Sequence, residues 1–173
     1  KLNSSGTRLW HTFYGSSSND YGNGIAVDKD GNVYVTGESA AAWGTPVNPH
    51  SGNDDNYDIV VLKLNSSGTR LWHTFYGSSS SDHGRGIAVD KDGNVYVTGT
   101  SIAAWGTPVN PYSGNYDIVV LKLNSSGAYQ WHTFHGSNGY DYGHGIAVDK
   151  DGNVYVTGTS GATWGTPVNP YSG

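Results

Sequence analysis

Apolar residues along this chain come in short bursts, each closed by Gly, Asn, Asp or Ser. Ile25-Ala26-Val27 and Val33-Tyr34-Val35-Thr36 are two such bursts, separated by Asp28-Lys29-Asp30-Gly31-Asn32. Short β-rich runs on either side of a Gly/Asn/Asp turn predict a β-hairpin. The residues Gly24–Gly37 that hold this hairpin recur unchanged at Gly86–Gly99 and Gly145–Gly158. A hairpin returning at a fixed spacing marks a repeat architecture. No segment shows a helical apolar period, and glycines interrupt the chain throughout, so helices are not expected.

The flanks of the hairpin repeat as well. Lys1–Tyr14 returns as Lys63–Tyr76 and, altered, as Lys122–His135, giving repeats 1–62, 63–121 and a truncated 122–173 within one β-propeller segment, 1–173. The repeats differ in length at one loop, where Asn53-Asp54-Asp55-Asn56-Tyr57 stands against Asn115-Tyr116. A strand cannot absorb an extra residue without flipping its faces, so the insertion belongs in a loop. Each unit predicts four strands, which in the first are Arg8–Tyr14, Ile25–Asp28, Val33–Thr36 and Asp58–Leu64. Asp58-Ile59-Val60-Val61-Leu62-Lys63-Leu64 is almost continuously apolar, as a strand buried on both faces must be. A sheet covered on both sides sits between neighbours like itself, and a radial stack of four-stranded antiparallel sheets is a β-propeller. The expected fold class is therefore all-β, with three blades of about 60 residues. Three blades do not close a ring, so this segment is expected to be part of a larger one. Its partners would be other copies of the chain or further blades of a longer one, since unpaired sheet edges seek strands.

Gly24-Ile25-Ala26-Val27-Asp28, then Gly31-Asn32-Val33-Tyr34-Val35-Thr36-Gly37, then Asp58, Val61, Lys63-Leu64-Asn65 and Gly68, then Trp72, Thr74 and Gly77 follow one another in order. This succession resembles the SBBP-type β-propeller repeat, a style of repeat related to the NHL and YVTN propeller repeats. The resemblance spans the whole chain. It implies a propeller in an exported bacterial or archaeal protein, with an extracellular or cell-surface setting, and it brings no shared catalytic residues. The loop Ala41-Ala42-Trp43-Gly44-Thr45-Pro46-Val47-Asn48-Pro49 departs from the family in being so uniform between repeats. Recent amplification and deliberate consensus design each account for that sameness.

Composition narrows the functional classes. Charged residues make up only 13% of the chain, while there are 26 glycines and 13 tyrosines. Such a mix suits many short strands and tight turns. The net charge is −5, and the six lysines and three arginines are spread over the repeats without a basic patch, so nucleic acid is not an expected partner. There is no cysteine, which excludes disulfides, thiolate metal sites and cysteine nucleophiles. No apolar run is long enough for a membrane-spanning helix. The chain starts at Lys1 and has no methionine, so a processed chain, an excised fragment or the ordered part of a larger protein is expected.

Candidate function gathers on one face. Alternating strand directions put the turns Asp28–Asn32 and Asn65–Gly68 on one side of a blade and the long loop Glu38–Asn56 on the other. Nearly all variation between repeats lies on the long-loop side, at Tyr21/His83/Tyr142 and Asn23/Arg85/His144 among others. Variable, aromatic-bearing loops on a rigid frame are where binding resides. The loop tryptophans Trp43, Trp105 and Trp164 have two readings: plugs between blades, or flat platforms for sugar rings. Together these nine residues are the candidate ligand contacts, and a glycan is the candidate ligand.

The turn aspartates Asp28 and Asp30, with Asp90, Asp92, Asp149 and Asp151, space oxygens as in the first half of a calcium loop. They lack the distal glutamate, and a five-residue turn favours Asp, Gly and Asn for backbone reasons. No metal site is assigned to them, and no motif asks for a cofactor. Asp20, Asp82 and Asp141 open Asp-x-Gly segments that resemble the Asp-box of other propellers, where a carboxylate accepting backbone N–H groups would pin a loop. Asn3, Asn65 and Asn124 each begin an Asn-Ser-Ser sequon, which also reads as a turn.

No Ser/His/Asp grouping rises above the repeat background, Glu38 is the single glutamate, and His11, His73 and His132 recur identically. The chain is therefore read as non-catalytic: an extracellular scaffold or adhesion module, alternatively a lectin with one weak site per blade, or a non-catalytic part of a larger secreted enzyme.

Overall fold

Ten strands and no helix make up the described part of the chain, residues 1–51 and 56–172 of the computed structural model. In order they are β1 (Asp20–Val27), β2 (Val33–Ser39), β3 (Asp58–Leu64), β4 (Arg70–Tyr76), β5 (Asp82–Val89), β6 (Val95–Ser101), β7 (Asp117–Leu123), β8 (Tyr129–His135), β9 (Asp141–Val148) and β10 (Val154–Ser160). They form two four-stranded antiparallel meanders, β1-β2-β3-β4 and β5-β6-β7-β8, and the two-stranded pair β9-β10. Strands β1, β5 and β9 pack side by side, so the first strand of each sheet is the innermost. The three-residue insertion at Asn53-Asp54-Asp55 lies outside the described residues.

The hairpins form where the sequence puts them. Gly31 takes the φ of +79° that closes the turn, and Asp28 Oδ1 accepts the N–H groups of Asp30 and Asn32, both at 2.9 Å. A short carboxylate side chain that caps its own turn is the reason Asp begins it. Asn65 does the same in the next turn, its Oδ1 accepting from Ser67 and Thr69 N–H at 3.0 and 2.9 Å.

The blades are out of phase with the sequence repeats. Residues 70–76 pair with β3, through Ile59↔Tyr76 and Val61↔Thr74, and so end the first sheet instead of starting the second. The expected opening strand Arg8–Tyr14 is not a strand: apart from the Leu2–Arg8 bridge it joins no ladder. A strand needs a neighbour to take its hydrogen bonds, and the β3-type strand that serves residues 70–76 has no counterpart beside residues 8–14. Trp10 and Tyr14 still reach the first blade through side chains, donating to the Ser66 and Gly68 carbonyls at 3.1 and 3.3 Å. Trp72 and Tyr76 repeat this clamp on Ser125 and Gly127 at 3.2 and 3.4 Å.

The core lies between the first two sheets. Ile59, Val61 and Tyr76 meet Ile87, Val95, Val97, Val119, Leu121 and Leu123 there, with Tyr34 and Phe134 in the same cluster. Along β7, Val119, Leu121 and Leu123 thus serve one face while Ile118 and Val120 serve the other. That double duty is why the β3 and β7 sequence is apolar without a break.

Candidate functional site

The tryptophans of the long loops are held by the outer strands. Trp105 stacks on His132 with ring centroids 3.7 Å apart and planes 4° from parallel, and meets Phe134 edge-on at 6.0 Å. Its indole N–H donates to Ser101 Oγ at 3.0 Å, and its carbonyl lies 2.9 Å from His132 Nε2. Trp43 repeats the stack on His73 at 4.0 Å and the carbonyl contact at 2.7 Å. Its ring also meets Phe75 edge-on at 5.8 Å, stacks with Tyr14 at 6.4 Å and lies under Arg70, whose guanidinium carbon is 5.5 Å from the ring centre. His73 and His132 therefore anchor the loop. Burial holds both imidazoles below their usual pKa, against the lift from the Trp43 and Trp105 carbonyls. Trp164 is different: it is 38% exposed, and His135 beside it lies at 5.9 Å and a 35° tilt.

The variable positions form a second group on the innermost strands. Asn23 and Arg85 fall where the β1–β2 and β5–β6 registers skip a residue, and His144 falls at the matching irregularity of β9–β10. All three are exposed. Between the first two blades the structure gathers Asn23, Glu38 and His83: Glu38 Oε2 lies 3.0 Å from His83 Nδ1 and accepts from Asn23 Nδ2 at 3.3 Å. Asn23 Nδ2 also reaches the Gly84 carbonyl at 2.9 Å. Burial lifts the Glu38 carboxyl, but His83, Arg85 and Asn23 outweigh it and hold the group below its usual pKa. Tyr57 stands between Tyr21 and His83, at 6.0 and 5.9 Å. In the next junction Tyr116 packs on Tyr142 at 5.5 Å, and Thr100 stands in place of the glutamate.

The two groups do not meet. Trp43 and Trp105 stack on the fourth strand of a blade and Tyr21 and His83 lie on the first, and among the described residues no ring contact joins the two sets. The nine candidate residues thus divide into an outer tryptophan row and an inner ring. Glu38 and Tyr57 join the inner ring although neither was picked out as a contact; the sequence signal for Glu38 was its uniqueness.

The turn aspartates carry their own loops. Asp28 Oδ2 accepts from Asn32 Nδ2 at 2.8 Å and Tyr34 Oη at 3.1 Å, which with the two backbone N–H groups occupies both oxygens. Burial raises the Asp28 carboxyl, and these hydrogen bonds outweigh it and lower its pKa. Asp90 and Asp149 repeat the arrangement. Asp30, Asp92 and Asp151 pair with the preceding lysine at the surface. Among the described residues no three His, Cys, Asp or Glu side chains gather as metal ligands.

A buried acid marks each blade junction. Asp82 accepts Ser78 N–H at 2.6 Å, Ser78 Oγ at 2.9 Å and a short bond from Ser101 Oγ. Asp141 does the same with Ser137 and Ser160. The expected loop-pinning role of Asp20, Asp82 and Asp141 is what the geometry shows. Gly139, standing where the other repeats have Ser, costs nothing, because Ser137 is the contact and receives the Gly139 N–H at 2.9 Å. Asp58, a second carboxyl that sequence reasoning passed over, lies on the other side of Gly77: a Cβ there would stand 2.6 Å from Asp58 Oδ1 and 2.7 Å from Asp82 Oδ2.

Burial lifts the Asp82 carboxyl to about 6; the bonds from Ser101 and Ser78 pull down and nearby Asp58 adds to the lift. The folded state therefore favours the protonated acid, a stabilisation present below about pH 4 and lost as pH rises to about 6. Titrating the unfolding free energies of wild type and Asp82→Asn together isolates it. Relative to the variant, wild type is expected to lose up to about 3 kcal/mol between pH 4 and pH 7. A pH-independent difference would remove the assignment.

A family model described as SBBP, a β-propeller repeat, matches residues 9–41, 71–104 and 130–163. The chain belongs to the SBBP β-propeller repeat family. The second and third SBBP matches run from an outer strand, through the link, into the next hairpin, and so span a blade junction, while the first begins in residues that form no strand. Among curated proteins, the chain is 25% identical to an uncharacterized WD repeat-containing protein of Acanthamoeba polyphaga mimivirus, over 88% of this chain and 13% of that protein. It is 30% identical to the regulatory protein FlaEY of Caulobacter vibrioides, over 76% of this chain and 14% of that protein. This SBBP segment thus spans about a seventh of the length of either relative. No helix among the described residues is long and apolar enough to cross a membrane.

Proposed function

We propose that this chain is a non-catalytic extracellular β-propeller module, a scaffold or adhesion unit that associates through its open blade faces with other copies of itself. One comparison carries the reading. Ile87 is 8% exposed between the first two sheets, whereas Ile25, at the same position of the first blade, is 70% exposed. With Val27, Leu62 and Leu64 it lines an apolar groove of about 550 Å³ on the side of the first sheet. A face built to be covered and left open marks an interaction surface. Light scattering tests it: a mass of two or three times the 18.4 kDa chain is expected, and a stable monomer at high concentration overturns self-association.

A second reading, a glycan-binding propeller, draws on the exposed Trp164 ring and on Tyr21, 48% exposed beside the Glu38–His83 pair. Rings flanked by a carboxylate, an amide and an imidazole suit a pyranose. Binding on a glycan array that is lost in Trp164→Ala, with the far-UV spectrum unchanged, would support it. An array without signal leaves the scaffold. The remaining alternative, a non-catalytic part of a larger secreted enzyme, shares the scaffold chemistry and requires no site in this chain.

A further inference from the structure

Each inner hairpin skips one residue of its first strand, Asn23, Arg85 or His144, next to a polar residue of its second, Glu38, Thr100 or Thr159. In the first blade Asn23 Nδ2 and Glu38 Oε2 are 3.3 Å apart, and in the third His144 Nε2 lies 3.4 Å from Thr159 Oγ1. The second blade leaves the pair unmade. Thr100 is 2% exposed, and its Oγ1 is buried without a hydrogen-bond partner among the described residues. Arg85 is exposed; its charge helps to hold the Glu38 carboxyl down, yet among the described residues no acid forms an ion pair with it. Thr100 points into the junction of the second and third blades. Thr98, two residues before it on the same strand face, has its Oγ1 2.5 Å from where a Cβ on Gly143 of β9 would stand. Thr100 therefore holds toward Tyr142 the place that Glu38 holds toward His83, and its shorter side chain ends short of where that carboxylate sits. The same junction carries an added ring. Tyr140 stands where the other repeats have Asn19 and Ser81, is 57% exposed, and lies 5.1 Å from Tyr116, itself 5.5 Å from Tyr142.

We infer that Arg85, Thr100 and the tyrosines Tyr116, Tyr140 and Tyr142 form a subsite for an acidic sugar, a hexuronate, whose carboxylate takes the place that Glu38 fills at the preceding junction. The inference rests on the reading of the chain as a glycan-binding propeller and names the sugar class of one junction. Glu38 is the internal precedent: its carboxylate sits in this frame between the Asn23 amide and the His83 ring. At the second junction the guanidinium offers paired N–H donors to a carboxylate, the geometry in which such bonds are strongest. The Thr100 O–H donates a further bond, which removes the cost of a buried hydroxyl left unpaired. The tyrosine rings suit the apolar face of a pyranose. An acidic peptide side chain would meet the guanidinium as well but would leave those rings without a flat partner, so the sugar is favoured. The first junction holds its own carboxylate and is not expected to bind the same ligand.

NMR titration of the full chain with D-glucuronate tests it, with D-glucose as the neutral sugar, acetate as the bare carboxylate and a hexaglutamate peptide as the acidic polypeptide. Glucuronate is expected to bind at least about tenfold more tightly than any of the three. Arg85→Gln, a change at an exposed side chain, is expected to weaken glucuronate by at least about tenfold. Thr100→Val is expected to weaken it too while leaving the urea midpoint unchanged or higher, because it removes a buried hydroxyl that has no partner. This second variant keeps the test open should Arg85→Gln disturb the bulge. Acetate or hexaglutamate binding as tightly as glucuronate, glucuronate affinity unmoved in either folded variant, or no glucuronate binding at millimolar concentration overturns the inference. Neutral glycans bound by wild type and lost in Trp164→Ala, with no glucuronate signal, would leave the glycan reading standing and remove this one alone.

Discussion

Gly99→Ala is expected to unfold the protein or to cost it at least about 3 kcal/mol, the upper end of what overpacking does. The β5–β6 register skips Arg85 between Gly84↔Gly99 and Gly86↔Thr98, and this bulge swings the β5 backbone onto Gly99. A Cβ on Gly99 would stand 1.7 Å from the His83 carbonyl oxygen, with the carbonyl carbon at 2.8 Å. Both atoms are backbone, so no side chain can step aside; the ladder itself must part. Gly37 faces Tyr21 O in the first blade at the same 1.7 Å. Gly22 is the control, since a Cβ there meets nothing nearer than Val35 at 3.7 Å. Urea unfolding of Gly99→Ala and Gly22→Ala side by side decides the matter, and equal midpoints would refute the close approach.

Phe134→Ala is expected to cost about 3–5 kcal/mol, the usual range for a fully buried phenylalanine. Phe134 has no exposed surface and is met edge-on by three rings: His132 at 5.2 Å, Tyr112 at 5.5 Å and Trp105 at 6.0 Å. Its backbone also holds the long loop, since Asn110 Nδ2 donates to the Phe134 carbonyl at 2.7 Å and Phe134 N–H to the Asn110 carbonyl at 3.1 Å. Loss of the ring should free the Trp105 loop and shift tryptophan emission to the red before global unfolding. Phe13 occupies the same repeat position and is 88% exposed, so Phe13→Ala should stay within about 0.5 kcal/mol of wild type. Similar costs for the two would mean that the repeat position, and not its surroundings, sets the energy.

Those paired substitutions show where reading the sequence stopped. The hairpins, the Asp and Asn turns and the doubly buried strand were legible because each is decided within a few neighbouring residues. The division of candidate contacts into an outer tryptophan row and an inner ring was not, since it depends on which strand lies first and which fourth in a blade. Glu38 became a site residue only through His83, which sits 45 positions away. Asp58 and Asp82 came together around Gly77 for the same reason: one ends a long loop and the other opens the next sheet.

The sharpest contrast is between two stretches with the same letters. Lys1–Tyr14 and Lys63–Tyr76 are identical, yet residues 70–76 form β4 and residues 8–14 form no strand. By itself the sequence determined the repeat, the hairpins with their turns, and which strands must be covered on both faces, because turn chemistry and apolar patterning are local. The tertiary structure alone decided where each blade begins and which of the three equivalent phenylalanines are buried: Phe75 and Phe134 are, and Phe13 is not. A strand exists only when a neighbour takes its hydrogen bonds, and a side chain is buried only when another sheet lies against it.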